Sequence, residues 1–279
     1  MSKITDVEIL SKNVFEKHLN VNYNYEIFHE NTKLNKLKEK ILGRRISGVL
    51  SDPNFVNTVS YSQKISISRN RVYLPKNYET KLTIKTNFRD IVFNRRSNRE
   101  FSQKPINIYE LTYILNMSYG VNGSIEDMKR NFYQELRVSP SSGGLYPLEI
   151  YVYANNIENI DVGIYHFSIW DNSLEVIKKG KLDLDTLTSY SDIAATSGAI
   201  VFILGVFPRL SHKYGERSYR FIHLDAGHLG QNLYLSAESI GLGAVAIGGF
   251  FDDEINELLN VDGTTEGVLY EFFIGNKRG

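Results

Sequence analysis

Apolar residues recur along this chain with a spacing that changes from segment to segment. Leu34, Leu37, Ile41 and Val49 stand near helical spacing, with Asn31 or Thr32 available as a cap. From 51 to 85 the alternation is weak (Val56, Val59, Tyr61; Ile65, Ile67; Val72, Tyr73, Leu74) and predicts short strands or extended segments. A new regime begins near Asn87. Asn87 with Asp90 caps a short helix over Phe88–Asn94, and Asn107 with Glu110 forms a capping-box pattern that opens a helix to about Ser118. Gly120 stops that helix, and Asn122-Gly123 marks a turn. Residues 148–153 alternate like a strand, 163–167 and 174–177 read as a β pair around Asp171-Asn172, and 182–188 as helical. The continuous apolar run 199–207 predicts a buried central strand. The strongest helix is 217–241, where Ile222, Ala226, Leu229, Leu233, Ala237 and Ile240 fall at steps of three and four before Gly241. A strand over 243–247, a short helix over 252–259 and a strand over 268–274 complete the pattern.

Composition narrows the classes. The 279 residues have zero net charge, which argues against a dedicated nucleic-acid binder. There is no cysteine, so disulfides, thiolate metal sites, Fe–S clusters and cysteine nucleophiles are excluded, as fits a reducing compartment. The N-terminus has no signal-peptide pattern, and the longest apolar run is far shorter than the ~20 residues of a membrane span. A soluble, cytoplasmic protein is expected. It divides into an N-terminal extension, 1–85, and a domain, 86–279. In the extension Lys36, Lys38, Lys40, Arg44 and Arg45 form either a solvated face or a docking face for an acidic partner.

Three stretches carry candidate chemistry. Arg95-Arg96-Ser97-Asn98-Arg99-Glu100-Phe101 sets three guanidinium groups and a hydroxyl in five positions, as a phosphate cradle requires; a basic surface turn has the same composition. Arg137 leads into Pro140-Ser141-Ser142-Gly143-Gly144-Leu145-Tyr146-Pro147, either a hairpin entry turn or a loop whose adjacent glycines let backbone approach a flat ligand. Residues 211–220 join the buried strand to the long helix and include Lys213-Tyr214, Arg217, Tyr219 and Arg220. Beside Lys213, Tyr214 is expected to gain phenolate character as a proton acceptor; a plain polar connection is the alternative. Gly241-Leu-Gly243-Ala-Val-Ala246 fits a dinucleotide glycine pattern, but it leaves a helix and enters a strand, the reverse of what that motif requires. The six histidines are scattered, and His223 and His228 are not at the spacing that aligns metal ligands on a helix.

In this order, together with Asp225-Ala-Gly-His-Leu-Gly-Gln-Asn232 and Ile247-Gly248-Gly249-Phe250, the stretches resemble the FMN-dependent nitroreductase superfamily from about Asn87 onward. More narrowly, Lys213-Tyr214 coincides with the catalytic pair of azoline dehydrogenases from thiazole/oxazole peptide-modifying clusters, and Phe28-His29-Glu30-Asn31-Thr32-Lys33 resembles a stretch preceding their reductase core. The resemblance implies an α+β fold, a central mixed or antiparallel sheet flanked by helices, and a homodimer with FMN at the interface. It implies that Arg95, Arg96, Ser97 and Arg99 bind the flavin phosphate and ribityl chain. Pro140, Ser141, Ser142 and Gly143 would reach the flavin, Ile247, Gly248 and Gly249 would lie at its ring edge, Lys277 or Arg278 would complete its phosphate site, and Arg137 would approach it. It further implies an azoline-containing precursor peptide as substrate, oxygen as acceptor and a cyclodehydratase as partner. A nicotinamide-dependent nitro- or quinone reductase, or a scaffold subunit of a synthetase complex, are the competing readings.

Overall fold

The computed structural model describes residues 24–55, 62–64, 70–127 and 132–278. The chain divides into two compact units between Arg44 and Arg45. In the first unit the predicted cap is corrected. Asn31 and Thr32 close α1 (Asn24–Thr32), where Thr32 Oγ1 donates back to Phe28 O at 2.6 Å. Asn35 opens α2 (Lys36–Leu50), its Oδ1 accepting from the N–H groups of Leu37 and Lys38 at 3.1 and 2.9 Å. Leu34, Leu37 and Ile41 are exposed, so their helical spacing marks a helix without a buried stripe. Val56, Val59, Tyr61, Ile65 and Ile67 lie outside the described residues.

The second unit begins at Arg45, well before the boundary at 85/86 read from the sequence. Its strands in chain order are β1 (Arg71–Tyr73), β2 (Val121–Asp127), β3 (Phe132–Arg137), β4 (Leu148–Ala154), β5 (Gly163–Ser168), β6 (Ser173–Lys179), β7 (Ala199–Val206), β8 (Leu242–Ile247) and β9 (Glu266–Asn276). Its further helices are α3 (Phe88–Asn94), α4 (Ile108–Tyr119), α5 (Ser191–Thr196), α6 (Phe207–Tyr214), α7 (Ser218–Ser239) and α8 (Asp252–Leu258). Seven strands form one sheet in the order β1-β6-β5-β4-β7-β9-β8, each neighbouring pair antiparallel. The predicted central strand is β7, buried along nearly its whole length between β4 and β9.

Alternation along the strands builds two cores. Val201, Ile203 and Phe272 share one with Leu111 and Leu115 of α4 and Leu229 and Leu233 of α7. Ile200, Phe202, Val245 and Phe273 turn the other way, against Leu187 and Ile255. Both predicted caps form: Asn87 accepts from Arg89 and Asp90, and the box between Asn107 and Glu110 closes at 2.9 and 2.8 Å. Gly241, at φ +84°, follows the end of α7 as expected.

Three expectations fail locally. Asn122-Gly123 is no turn; both residues lie in β2, paired with β3, where the register slips between Val121 and Gly123 and absorbs the extra residue as a bulge. Nor is 211–220 a loop. Pro208 in the first turn and buried Leu210 found α6, and a 3₁₀ turn, Gly215–Arg217, joins it to α7. The helix read over 182–188 shrinks to a 3₁₀ turn, Leu184–Thr186.

Candidate functional site

Two clusters form along α7. The first gathers the arginine strap. Ser97 bridges Ala244 in parallel, and the N–H of Asn98 donates to Ala244 O at 2.9 Å, so the strap lies beside β8. Phe101 bridges Lys277, and the N–H of Arg278 donates to Glu100 O at 3.3 Å, which brings the chain's last residues to the strap. From α7, Tyr234 organises the cluster. Its hydroxyl is 3.0 Å from Ser97 Oγ and accepts from the N–H of Ala246 at 2.8 Å, while the Arg95 guanidinium lies 4.9 Å from its ring centre. Arg96 turns back to the carbonyls of Phe93 and Arg95, both at 2.8 Å. Among the described residues none of Arg95, Arg96 and Arg99 pairs with a carboxylate, and Arg96, Ser97 and Arg99 are exposed. Lys277, by contrast, is engaged: its Nζ is 2.6 Å from Glu238 Oε2.

The second cluster is centred on Asp225, which is 2% exposed on α7. Its carboxylate accepts from Ser141 Oγ at 2.7 Å, from Ser142 Oγ at 2.8 Å and from the N–H of Ser142 at 3.0 Å. Ser141 Oγ also accepts from the N–H of Tyr146 at 2.9 Å. The loop is thereby clamped, with Gly143 at φ +64° and Pro140 exposed at its start. A Cβ at Gly143 would stand 2.1 Å from Tyr214 Oη and 2.9 Å from Lys213 Nζ. Only glycine both adopts this backbone conformation and leaves room for the two side chains. The Lys-Tyr pair of α6 and the Ser-Ser-Gly loop, far apart in sequence, therefore meet.

The electrostatics of the pair run opposite to the sequence expectation. Burial lowers the pKa of Lys213, which is 8% exposed, toward the neutral amine. Burial, then the charge of Asp225, raises that of Tyr214. Lys213 Nζ lies 5.2 Å from the Tyr214 ring centre. Tyr214 stays a protonated phenol, because desolvation of both groups outweighs any help the neighbouring amine gives a phenolate.

Other expected residues stand elsewhere. Ile247 is buried in the second core; Gly248 is exposed, with nothing within 4 Å of a would-be Cβ; and Gly249 abuts the Tyr190 ring. Arg137 is a packing residue. It is 8% exposed, its guanidinium lies 4.5 and 4.9 Å from the ring centres of Tyr119 and Tyr146, and it donates to Ser62 O. Sequence reasoning missed Tyr234, Asp225 and Arg209. Asp225 had a signal, since an acid three after Ile222 and four before Leu229 faces the buried stripe. Arg209 Nη2 reaches Glu149 Oε1 at 2.5 Å, and Nη1 reaches Tyr146 O at 3.2 Å. Glu149 belongs to a buried row across three strands: His166 holds Glu149 at 2.9 Å and Glu175 at 3.0 Å. Burial opposes charge on His166, but the bonds to both glutamates outweigh it and lift its pKa to about 8. Among the described residues no His, Asp or Glu group is arranged to hold a metal, and no helix is long and apolar enough to cross a membrane.

A seven-stranded antiparallel sheet with a long helix on one core defines an α+β protein, and a cationic strap and a Ser-Gly loop lie along that helix. Residues 92–275 match the nitroreductase family, and the chain belongs to it. MJ1384 of Methanocaldococcus jannaschii, named as a nitroreductase, is 34% identical over 62% of this chain and 83% of its own length. The microcin B17-processing protein McbC of Escherichia coli is 28% identical over 50% of this chain, but the match spans only 54% of McbC. The E. coli microcin synthetase McbBCD complex, solved with truncated pro-MccB17 bound, contains a chain of the same fold (TM-score 0.55, 22% identity, 84% of this chain and 98% of that one). A nitroreductase from Exiguobacterium sibiricum solved with FMN shares the fold at TM-score 0.50 and 16% identity, over 71% of this chain and 91% of that one. The strap's donor set, three guanidinium groups without carboxylate partners among the described residues and a hydroxyl, fits a flavin's terminal phosphate.

Proposed function

We propose that this chain is an FMN-dependent azoline dehydrogenase, oxidising thiazolines or oxazolines of a precursor peptide to thiazoles or oxazoles during the making of a ribosomal toxin or bacteriocin. The observation that carries the reading is the seating of Lys213 and Tyr214 against Gly143, where a general acid–base pair meets the loop assigned to the flavin. Similarity to the microcin B17-processing protein McbC supports a peptide of this kind as substrate. Arg95, Arg96, Ser97 and Arg99 hold the FMN phosphate and ribityl chain, the open backbone at Gly248 admits the ring edge, and exposed Arg278 adds a cation. Lys277 contributes through Glu238 rather than directly. The strap and the Ser-Gly loop contact α7 nine residues apart, about 13 Å along the axis. In a homodimer each flavin would take the strap from one copy and the loop from the other.

Bound FMN supplies a two-electron acceptor that oxygen can restore. The protein's part is acid–base and positional. Lys213, as the amine that burial favours, takes the proton from the ring carbon α to the adjoining peptide carbonyl. Tyr214 Oη donates a hydrogen bond to the oxygen on which negative charge develops. Loss of that proton and of a hydride from the neighbouring ring carbon forms the C=C bond and aromatises the ring. This exchanges the roles expected from sequence. A cyclodehydratase would supply the azoline, in the cytoplasm, with Lys36, Lys38, Lys40 and Arg44 offering an acidic partner a docking face.

The test is purification of the yellow protein and mass spectrometry of an azoline peptide. Loss of two hydrogens without added nicotinamide is expected. Lys213→Ala and Tyr214→Phe should each retain flavin absorbance and lose ~10²–10⁴-fold in kcat. Rapid NAD(P)H oxidation by a nitroaromatic, with the azoline peptide unchanged, would point to a general nitro- or quinone reductase. Full turnover by Lys213→Ala, with cyclodehydratase activity dependent on the protein, would point to a scaffold.

A further inference from the structure

The Lys-Tyr pair stands on a helix of only eight residues, and what holds that helix lies outside the pair. At its start, Arg209 sits one turn before Lys213. Its guanidinium divides between Glu149 Oε1 on β4, at 2.5 Å, and the carbonyl of Tyr146, at 3.2 Å, which closes the Ser141–Tyr146 loop. One side chain therefore ties α6 both to the sheet and to the loop carrying Gly143. Glu149 is 1% exposed, and the charge of Arg209 and the hydrogen bond from His166 overcome its burial and hold its pKa well below the usual carboxylate range. The anchor under Arg209 is thus a fixed negative charge.

At the other end, the last carbonyls of α6 run short of helical N–H donors. Arg45 supplies donors: Nε to His212 O at 3.0 Å and Nη2 to Ser211 O at 3.1 Å. Ser211 O also accepts from the N–H of Gly215, which turns the chain at φ +59° one residue after Tyr214. A Cβ at Gly215 would stand 2.9 Å from Arg45 Nη1, so the guanidinium fills the place a side chain would take. Phe55 stacks on His212 beside it, ring centres 6.2 Å apart and planes 6° apart. Arg45 and Phe55 both precede the family-matching stretch, residues 92–275.

We propose that Arg209 and Arg45 are positioning residues that clamp α6 at its two ends and set where Lys213 and Tyr214 stand against Gly143. The proposal deepens the dehydrogenase reading and rests on it for the substrate, but not for the geometry. Neither arginine reaches the reacting atoms. Each acts through α6, and a segment ahead of the family-matching stretch becomes part of the catalytic support.

The experiment compares Arg45→Ala, Arg45→Lys and Arg209→Lys with the full-length wild type. Two readouts are used: kcat and KM on an azoline peptide, and acetylation of Lys213 by a small anhydride followed by peptide mass spectrometry. Arg45→Ala and Arg209→Lys should each lower kcat by about 10-fold or more with KM within about twofold and flavin absorbance intact, the signature of a misplaced catalytic group. Lys213 acetylation should rise several-fold in both, because the amine leaves its buried seat. Arg45→Lys should recover part of each loss, since an ammonium still donates to the two carbonyls. Wild-type kcat and unchanged acetylation in both Arg45→Ala and Arg209→Lys would overturn the proposal. Equal loss of kcat and melting temperature in every variant, with acetylation unchanged, would also overturn it, by reducing the arginines to fold stability. A wild type that oxidises no azoline, with faster acetylation in Arg45→Ala, would sink the substrate reading and uphold the clamp.

Discussion

Gly143 shows how much one missing methyl can decide. At φ +64° it occupies backbone space that L side chains rarely adopt, and Tyr214 Oη and Lys213 Nζ fill the volume its Cβ would take. Gly143→Ala should lower kcat on an azoline peptide by ~10²-fold, since the pair must move by an ångström or more to admit the methyl. Stopped-flow turnover on the flavin-loaded variant checks this. Burial also shifts the pair in opposite directions, Lys213 down and Tyr214 up. With Lys213 as the acceptor, kcat should rise with pH through a pKa below the ordinary lysine value of about 10.4. In Tyr214→Phe the same rising limb should persist at lower amplitude; a limb that disappears with the hydroxyl would assign the proton to Tyr214 instead. The strap, the Ser-Gly loop and the Lys-Tyr pair were all legible as residues. Their surroundings were less so, because the same guanidinium stands exposed in Arg99, where the proposal gives it a phosphate, and lies buried against two aromatic rings in Arg137.

Among the elements, those with a local signal were read well. The capping box at Asn107 and Glu110 forms as its spacing demands, and Asn107→Ala should cost about 1 kcal/mol, measured by urea denaturation. Helix α7 and strand β7 were visible from their apolar periods. Helix α6 was not, because eight residues are too few to show a period and its ends are held by Glu149 and Arg45 from distant segments. The row Glu149–His166–Glu175 was equally hidden, since nothing local predicts that three strands will align their polar residues. Glu149→Gln leaves the Arg209 charge without its counterion and should destabilise the unit by about 3–5 kcal/mol, read as a lower urea midpoint with unchanged m-value.

Two buried groups make the stability of the whole molecule depend on pH in one direction. His166 has its pKa raised from 6.5 to about 8, so its stabilising bonds are fully present below pH 6.5 and fade as pH rises through 8. Glu271, 0% exposed with neither carboxylate oxygen hydrogen-bonded among the described residues, is pushed by burial to about 8. The folded chain therefore holds its proton where the unfolded chain has released it. Stability falls between about pH 4.5 and 8, because folding above that range must bury a carboxylate. The melting temperature should drop from pH 6 to pH 9, and Glu271→Gln should recover on the order of a few kcal/mol at pH 9 while changing little at pH 5. Scanning calorimetry across the two pH values decides it.

Local chemistry, carried in the order of residues alone, was enough for the caps, the long amphipathic helix, the buried strand and the donor groups suited to a phosphorylated flavin. Those features depend on neighbours a few positions away, where covalent spacing already brings side chains together. Which cations stay exposed, which way burial shifts the Lys213 amine, and which distant residues bond to α6 and its Arg209 were settled by packing. Desolvation and contacts between residues more than a hundred positions apart exist only once the chain has closed on itself.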